Sequence, residues 1–199
     1  MATAETSSHD RILREALELF SKKGYDATSV REICEAAAIT KPTLYHFYGS
    51  KEGVYRALVG GALDGFRGAV AGAVEATGSV RERLRRFILA SFAAARSEPG
   101  LSRFVLGLIH HPPSSAPSTD FVRFYEGILS LVARAVEEAV DRAEIAPGPT
   151  DIRLLVLMGS LMEALHGYLL AGRPDLTAEL ADALVDTILR GWTAPPVAP

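Results

Sequence analysis

Residues 40–46, Thr-Lys-Pro-Thr-Leu-Tyr-His, put two hydroxyls, a cation, a phenol and an imidazole within two helical turns. Such groups hydrogen-bond to base edges and to phosphate oxygens. At helical spacing Lys41, Thr43 and His46 face outward and Leu44 and Phe47 inward, while Pro42 can rest on a thymine methyl. Groups suited to phosphate flank this set. Thr28, Ser29 and Arg31 precede it, and Tyr48, Ser50 and Lys51 follow; Thr40 and Tyr45 complete the candidate surface. Two short helices and a tight turn must hold these side chains. Ser29 with Glu32 forms a Ser-x-x-Glu capping box for the first helix, whose inner face is Ile33 and Ala37. The chain turns through Ala38 and Ile39, and Thr40 caps the second helix with Pro42 in its first turn. This is the pattern of a helix-turn-helix lying in a major groove. An ordinary helical hairpin with a solvated polar face has the same periodicity, so periodicity leaves both open.

The run ICEAAAITKPTLYHFYGSKEGVYRAL resembles the signature of the tetracycline-repressor (TetR) family of bacterial regulators, and the resemblance extends from Arg11 to about Leu58. Upstream, a first helix burying Ile12, Ala16, Leu19 and Phe20 and ending at Gly24 fits the same family. Three positions depart from its habit: Cys34 for alanine, and Ala38 and Pro42 for glycine. A left-handed Ala38 costs about 1 kcal/mol relative to glycine.

The resemblance implies an all-α chain with a three-helix DNA-binding domain (residues 9–55) and a helical ligand-binding and dimerisation domain (56–193); the tails at 1–8 and 194–199, small and polar or proline-rich, are expected to be disordered. It implies a homodimeric, ligand-responsive transcriptional regulator, expected to be a repressor, on a palindromic double-stranded operator. A small apolar or aromatic effector would release it, and no cofactor, metal or enzymatic activity is implied. A helical-bundle enzyme or carrier with a DNA-binding head is the alternative; it would need a polar constellation that the sequence does not display.

Composition fits a globular regulator. The chain has 199 residues, 48% hydrophobic and 23% charged, and a single cysteine, which excludes an intrachain disulfide. No apolar run precedes Asp10 as a secretory signal, and no stretch reads as long and apolar enough to cross a bilayer, so a soluble cytoplasmic protein is expected. The net charge of −3 disfavours a broad electrostatic grip on nucleic acid. Between Phe20 and Lys51 the balance is five cations against three anions, modest support for specific contacts in a dimer.

Six further helices are expected: from Ser50 to about Ala76, from a second capping box at Ser79 and Glu82 to about Ser97, Gly100 to His110, Phe121 to Ala146, Asp151 to Ala171 capped by Thr150, and Thr177 to Trp192. Phe66, Phe87, Phe92, Phe104, Phe121, Phe124 and Tyr125, with Met158 and Met162, supply either plain core or the walls of an apolar pocket, and His111 and His166 are its neutral polar groups. Glu163 and His166 form one Glu-x-x-His; a di-iron bundle requires a second copy, which the later helices lack. The stripe Leu154, Leu157, Leu161 and Leu165 beside Gly159 and Gly167, with Leu180, Leu184 and Ile188 on the last helix, predicts a four-helix dimer interface, or packing within one chain.

Overall fold

The computed structural model describes residues 8–110 and 121–192. All regular elements among the described residues are helices: α1 (Ser8–Lys23), α2 (Val30–Ala36), α3 (Lys41–Tyr48), α4 (Lys51–Glu75), α5 (Val80–Ser97), α6 (Pro99–His110), α7 (Phe121–Asp141), α8 (Thr150–Ala171) and α9 (Ala178–Arg190). The tails lie outside the described residues, except that Ser8 opens α1. The fold class is the all-α one expected.

Local chemistry sets most helix ends. Both capping boxes form: the Glu32 carboxylate accepts from the Ser29 N–H at 2.8 Å, and that of Glu82 from the Ser79 N–H at 2.9 Å. Thr40 and Thr177 cap α3 and α9 through their hydroxyls. Thr150 does not cap α8; it is the first helical residue, and Pro149 before it offers no side-chain acceptor. Nor does α7 continue to Ala146. Ala143 takes φ 56°, and the Glu144 N–H closes back on the Ala139 carbonyl at 2.9 Å, a Schellman ending. The early stop frees Glu144 to accept the Val80 N–H at 2.6 Å, at the start of α5.

The chain packs into two units, and the division falls inside α4. One unit holds residues 8–64 with α6; the other holds 65–99 and 121–192. In the first, Ile12, Ala16, Phe20, Ile33, Ala37 and Leu44 are buried. An aromatic cluster joins α1, the loop after it, α4 and α6: Phe20 lies 5.5 Å from Tyr25, 5.8 Å from Tyr55 and 6.4 Å from Phe104, centroid to centroid. Phe104, far along the sequence, thus belongs with the helix-turn-helix segment.

The second unit is tied by arginines reaching between helices. On α5, Arg81 donates to Asp182 and Asp186 of α9 at 3.0 and 2.7 Å, and Arg85 to Asp182 at 2.9 Å. Arg83 is buried, donating to the Val74 carbonyl at 2.7 Å and to Glu138 at 2.6 Å. Arg86 takes the carbonyls of Ala73, Ala76 and Thr77, closing the orphan acceptors at the end of α4.

One expectation is corrected here. α4 and α8, at 25 and 22 residues with mean hydropathy of 1.2 and 1.6 in their most apolar windows, do have the length and composition of a span. Mid-helix charges, Asp64 and Arg67 in α4 and Glu163 in α8, would be costly at membrane depth.

Candidate nucleic-acid interface

Four residues, 37–40, join α2 to α3. Ala38 has φ 51°, the left-handed conformation, and the Ile39 N–H returns to the Cys34 carbonyl at 3.0 Å while the Ala38 N–H meets the Glu35 carbonyl at 3.3 Å. The turn therefore carries alanine where glycine would be unstrained. Ile33, Ala37 and Leu44, all nearly inaccessible, lock the two helices together.

Lys41, Pro42, Tyr45 and His46 are exposed on α3, and Thr43 is half-buried with its hydroxyl 2.9 Å from that of Thr40. Phe47, expected inside, is 45% exposed. Helical geometry explains the correction: Thr43 and Phe47 are four residues apart and share one face, so both cannot be satisfied by opposite orientations. Tyr48 is half-buried, and its hydroxyl donates to the His9 carbonyl at 3.2 Å. Burial, then the Asp10 charge, pushes its phenol up to about 12, so it remains a neutral donor.

Among the flanking residues, Ser29 is spent on its cap, and Arg31 lies exposed with Nε 2.7 Å from Glu35. Glu32, bound by the Lys23 ammonium and by Ser29, has its carboxyl lowered to about 2. Thr28 and Lys51 are corrected in orientation. Thr28 is buried, and its hydroxyl donates to the Gly24 carbonyl at 2.8 Å. Lys51 donates to the carbonyls of Tyr25 and Thr28, each at 2.9 Å, and its ammonium sits 4.1 Å from the Tyr25 ring centroid. It is a strut from the first turn of α4 to the loop that sets the angle of α2.

A short capped pair of helices, tied at both ends and presenting Lys41, Pro42, Thr43, Tyr45 and His46 on one element, is a surface for a groove. Residues 12–58 match the model of bacterial regulatory proteins of the tetR family, and residues 74–188 match that of the tetracyclin repressor-like C-terminal domain. The chain belongs to the TetR family of transcriptional regulators. It is 28% identical over 149 residues to the HTH-type transcriptional regulator YezE of Bacillus subtilis, covering 72% of this chain and 76% of that one. It is 35% identical over 88 residues to the repressor KstR2 of Mycobacterium tuberculosis, 44% of each chain. The crystal structure of the TetR-family regulator PfmR from Thermus thermophilus superposes with TM-score 0.75 at 26% identity, over 93% of this chain and all of that one.

The remaining residues expected at TetR-type sites fall on several surfaces. Phe87 and Phe92 are fully buried and Met158 nearly so; these are core. Phe66 and Phe124 pair at 6.1 Å, half-buried with Phe121, Met162 and His166, whereas Tyr125 is 46% exposed. His111 lies outside the described residues. None of this set lines the 200 Å³ cleft of the second unit, which Arg83, Arg134, Glu138 and Arg142 surround. Of the set, Phe104 alone lines the 350 Å³ groove of the first unit, with Phe20, Tyr25 and Leu108.

The leucine stripe is corrected in face. Leu157, Leu161 and Leu165 are buried within their own chain, as is Ile188; Leu154, Leu180 and Leu184 are half-buried. Exposed instead are Ile152, Leu155, Val156 and Leu170, Leu155 at 70% and Leu170 at 77%. α8 is apolar nearly all round, so its periodicity could not choose a face. Gly167 answers to a close approach within the chain, since a Cβ there would stand 2.4 Å from the Arg173 carbonyl oxygen.

Proposed function

We propose that this TetR-family regulator is a dimeric repressor that binds a palindromic operator and leaves it when a small apolar or aromatic molecule enters the C-terminal helices. The observation that carries the reading is α3, eight residues capped by Thr40 and exposing Lys41, Pro42, Tyr45 and His46. In this reading those residues and Thr43 meet base edges, while Arg31 meets a phosphate. Repression rather than activation draws support from the likeness to KstR2. The cytoplasm, where the DNA is, would be its place of work.

Dimerisation draws support from the outer face of α8. Ile152, Leu155, Val156 and Gly159 form an exposed run at three- and four-residue steps, and Leu170 continues it. A second copy would bury this stripe, and α9 exposes small side chains, Ala183 and Thr187, that permit close helix approach. Two reading helices then meet half-sites about 34–36 Å apart, or a related spacing, and an effector that changes that distance lowers affinity. The effector's apolar character draws support from the half-buried Phe66, Phe124 and Met162.

Sequencing DNA selected by the purified protein tests the reading, with light scattering on the bound species. An inverted repeat bound by two chains supports it; a monomer at micromolar concentration, or no selected sequence, removes it. Effector candidates found by thermal shift must bind the operator complex more weakly than the free protein, tenfold for a tenfold loss of DNA affinity. Equal affinity for both states would assign them to a structural cavity.

A further inference from the structure

The exposed Phe47 stands among groups contributed by α1. The imidazole of His9 lies 6.1 Å from its ring, edge-on at 83°, and 5.1 Å from the Tyr48 ring, while His46 lies 5.4 Å from Phe47. Tyr48 secures the arrangement by donating from its hydroxyl to the His9 backbone carbonyl at 3.2 Å. The first turn of α1 is thereby pinned to the last turn of α3, and a ring nitrogen is delivered to the exposed edge of the reading helix. The Asp10 carboxylate is 3.5 Å from His9 Nδ1, too long a contact to commit the imidazole to one tautomer.

We infer that His9 is part of the DNA interface, where its imidazole N–H donates to a backbone phosphate just outside the bases read by α3. The inference rests on the DNA-binding reading above. Three features favour a phosphate as its partner. Phe47, one turn beyond Thr43 on the same face, has no donor, and the Tyr48 hydroxyl is committed to the His9 carbonyl, so that side of the last turn of α3 offers a phosphate no side-chain donor of its own. Phosphate contacts commonly come from neutral donors as well as cations, and α3 carries a single lysine, Lys41, at its opposite end. The imidazole is exposed yet held on two rings, so little side-chain freedom remains to be lost on binding.

The test uses the full-length protein on its selected operator. His9→Phe keeps a ring against Phe47 and Tyr48 and removes the N–H; His9→Gln keeps a donor and loses the ring. Replacing operator phosphates one at a time by uncharged methylphosphonates locates the contact. The expected result is an affinity loss of about 3- to 10-fold for His9→Phe, the scale of one hydrogen bond, and a phosphate whose neutralisation weakens the wild type but no longer weakens this variant. His9→Gln should recover part of the loss. A His9→Phe protein that binds like the wild type overturns the inference. So does one that is weakened equally while every phosphate keeps its wild-type sensitivity, since His9 would then only support α3. If the wild type selects no DNA at all, the failure belongs to the regulator reading instead.

Discussion

The α2–α3 segment and the α8–α9 pair expose opposite chemistry. α3 shows water a lysine, an imidazole and the rings of Tyr45 and Phe47. α8 shows it bare aliphatic side chains, with Leu155 and Leu170 more than two-thirds accessible. The first surface suits a hydrated, charged partner with defined donor and acceptor positions; the second suits only another apolar face. Their supports differ too. Helices of seven and eight residues are too short to persist alone, so α2 and α3 depend on caps, a tight turn and the Lys51 strut. The α8–α9 unit is held by a large core and by ion pairs spanning about a hundred residues of sequence. The surface proposed to read DNA is built from many small local terms, and the one proposed to pair with a copy is laid over a stable core.

The largest expected effect separates the two faces of α8. Leu161→Ala should cost about 2–5 kcal/mol in denaturant unfolding, because it opens a cavity in a packed core. Leu155→Glu should hardly change the stability of the isolated chain yet convert the dimer to monomer in light scattering, with operator binding lost. A Leu155→Glu protein that remains a stable dimer would break the comparison.

Next in size, Lys51→Ala removes two carbonyl partners and a cation–π contact and should destabilise the first unit by about 1–3 kcal/mol. Operator affinity should fall alike for all sequences, with the slope against salt unchanged. A slope reduced by about one would assign Lys51 to a phosphate after all.

Ser29→Ala should cost about 1 kcal/mol. Its partner makes the same support depend on pH. The Glu32 carboxyl is held at about 2, first by the Lys23 ammonium and then by Ser29, below the ordinary carboxylate value of about 4.3 in an unfolded chain. The folded-state value is depressed, so this contribution is whole above the unfolded value and fades as pH falls from there toward the folded one. Glu32→Gln should flatten that part of the acid-unfolding profile; an unaltered profile would show that the capping box contributes nothing there.

The smallest effect is a gain. Ala38→Gly relieves the left-handed turn and should raise stability by up to about 1 kcal/mol, less what a freer unfolded chain takes back. A loss would mean that the Ala38 methyl is useful where it lies.

Much of the interface is legible in the sequence because its signals are local. The caps at Ser29, Thr40 and Ser79, the turn at Ala38 and the inward Ile33 and Leu44 each follow from neighbours a few residues away. Phe47 reads as inward from its apolar ring, although its spacing from Thr43 argues otherwise. His9 carries no such signal, since only folding brings residue 9 beside residues 47 and 48.

Amino-acid order alone determined the all-α class, most helix ends and the capped α3 that exposes Lys41, Tyr45 and His46, because hydrogen-bond satisfaction at helix ends and turn strain act over three to five residues. Tertiary structure alone decided that Lys51 and Thr28 turn inward, that α6 packs with the first unit through Phe104, and that α8 exposes Leu155 while burying Leu161. Where a helix is apolar all round, or a cation can reach either a phosphate or a carbonyl, local preference is nearly balanced, and the choice falls to whatever the rest of the chain packs against it.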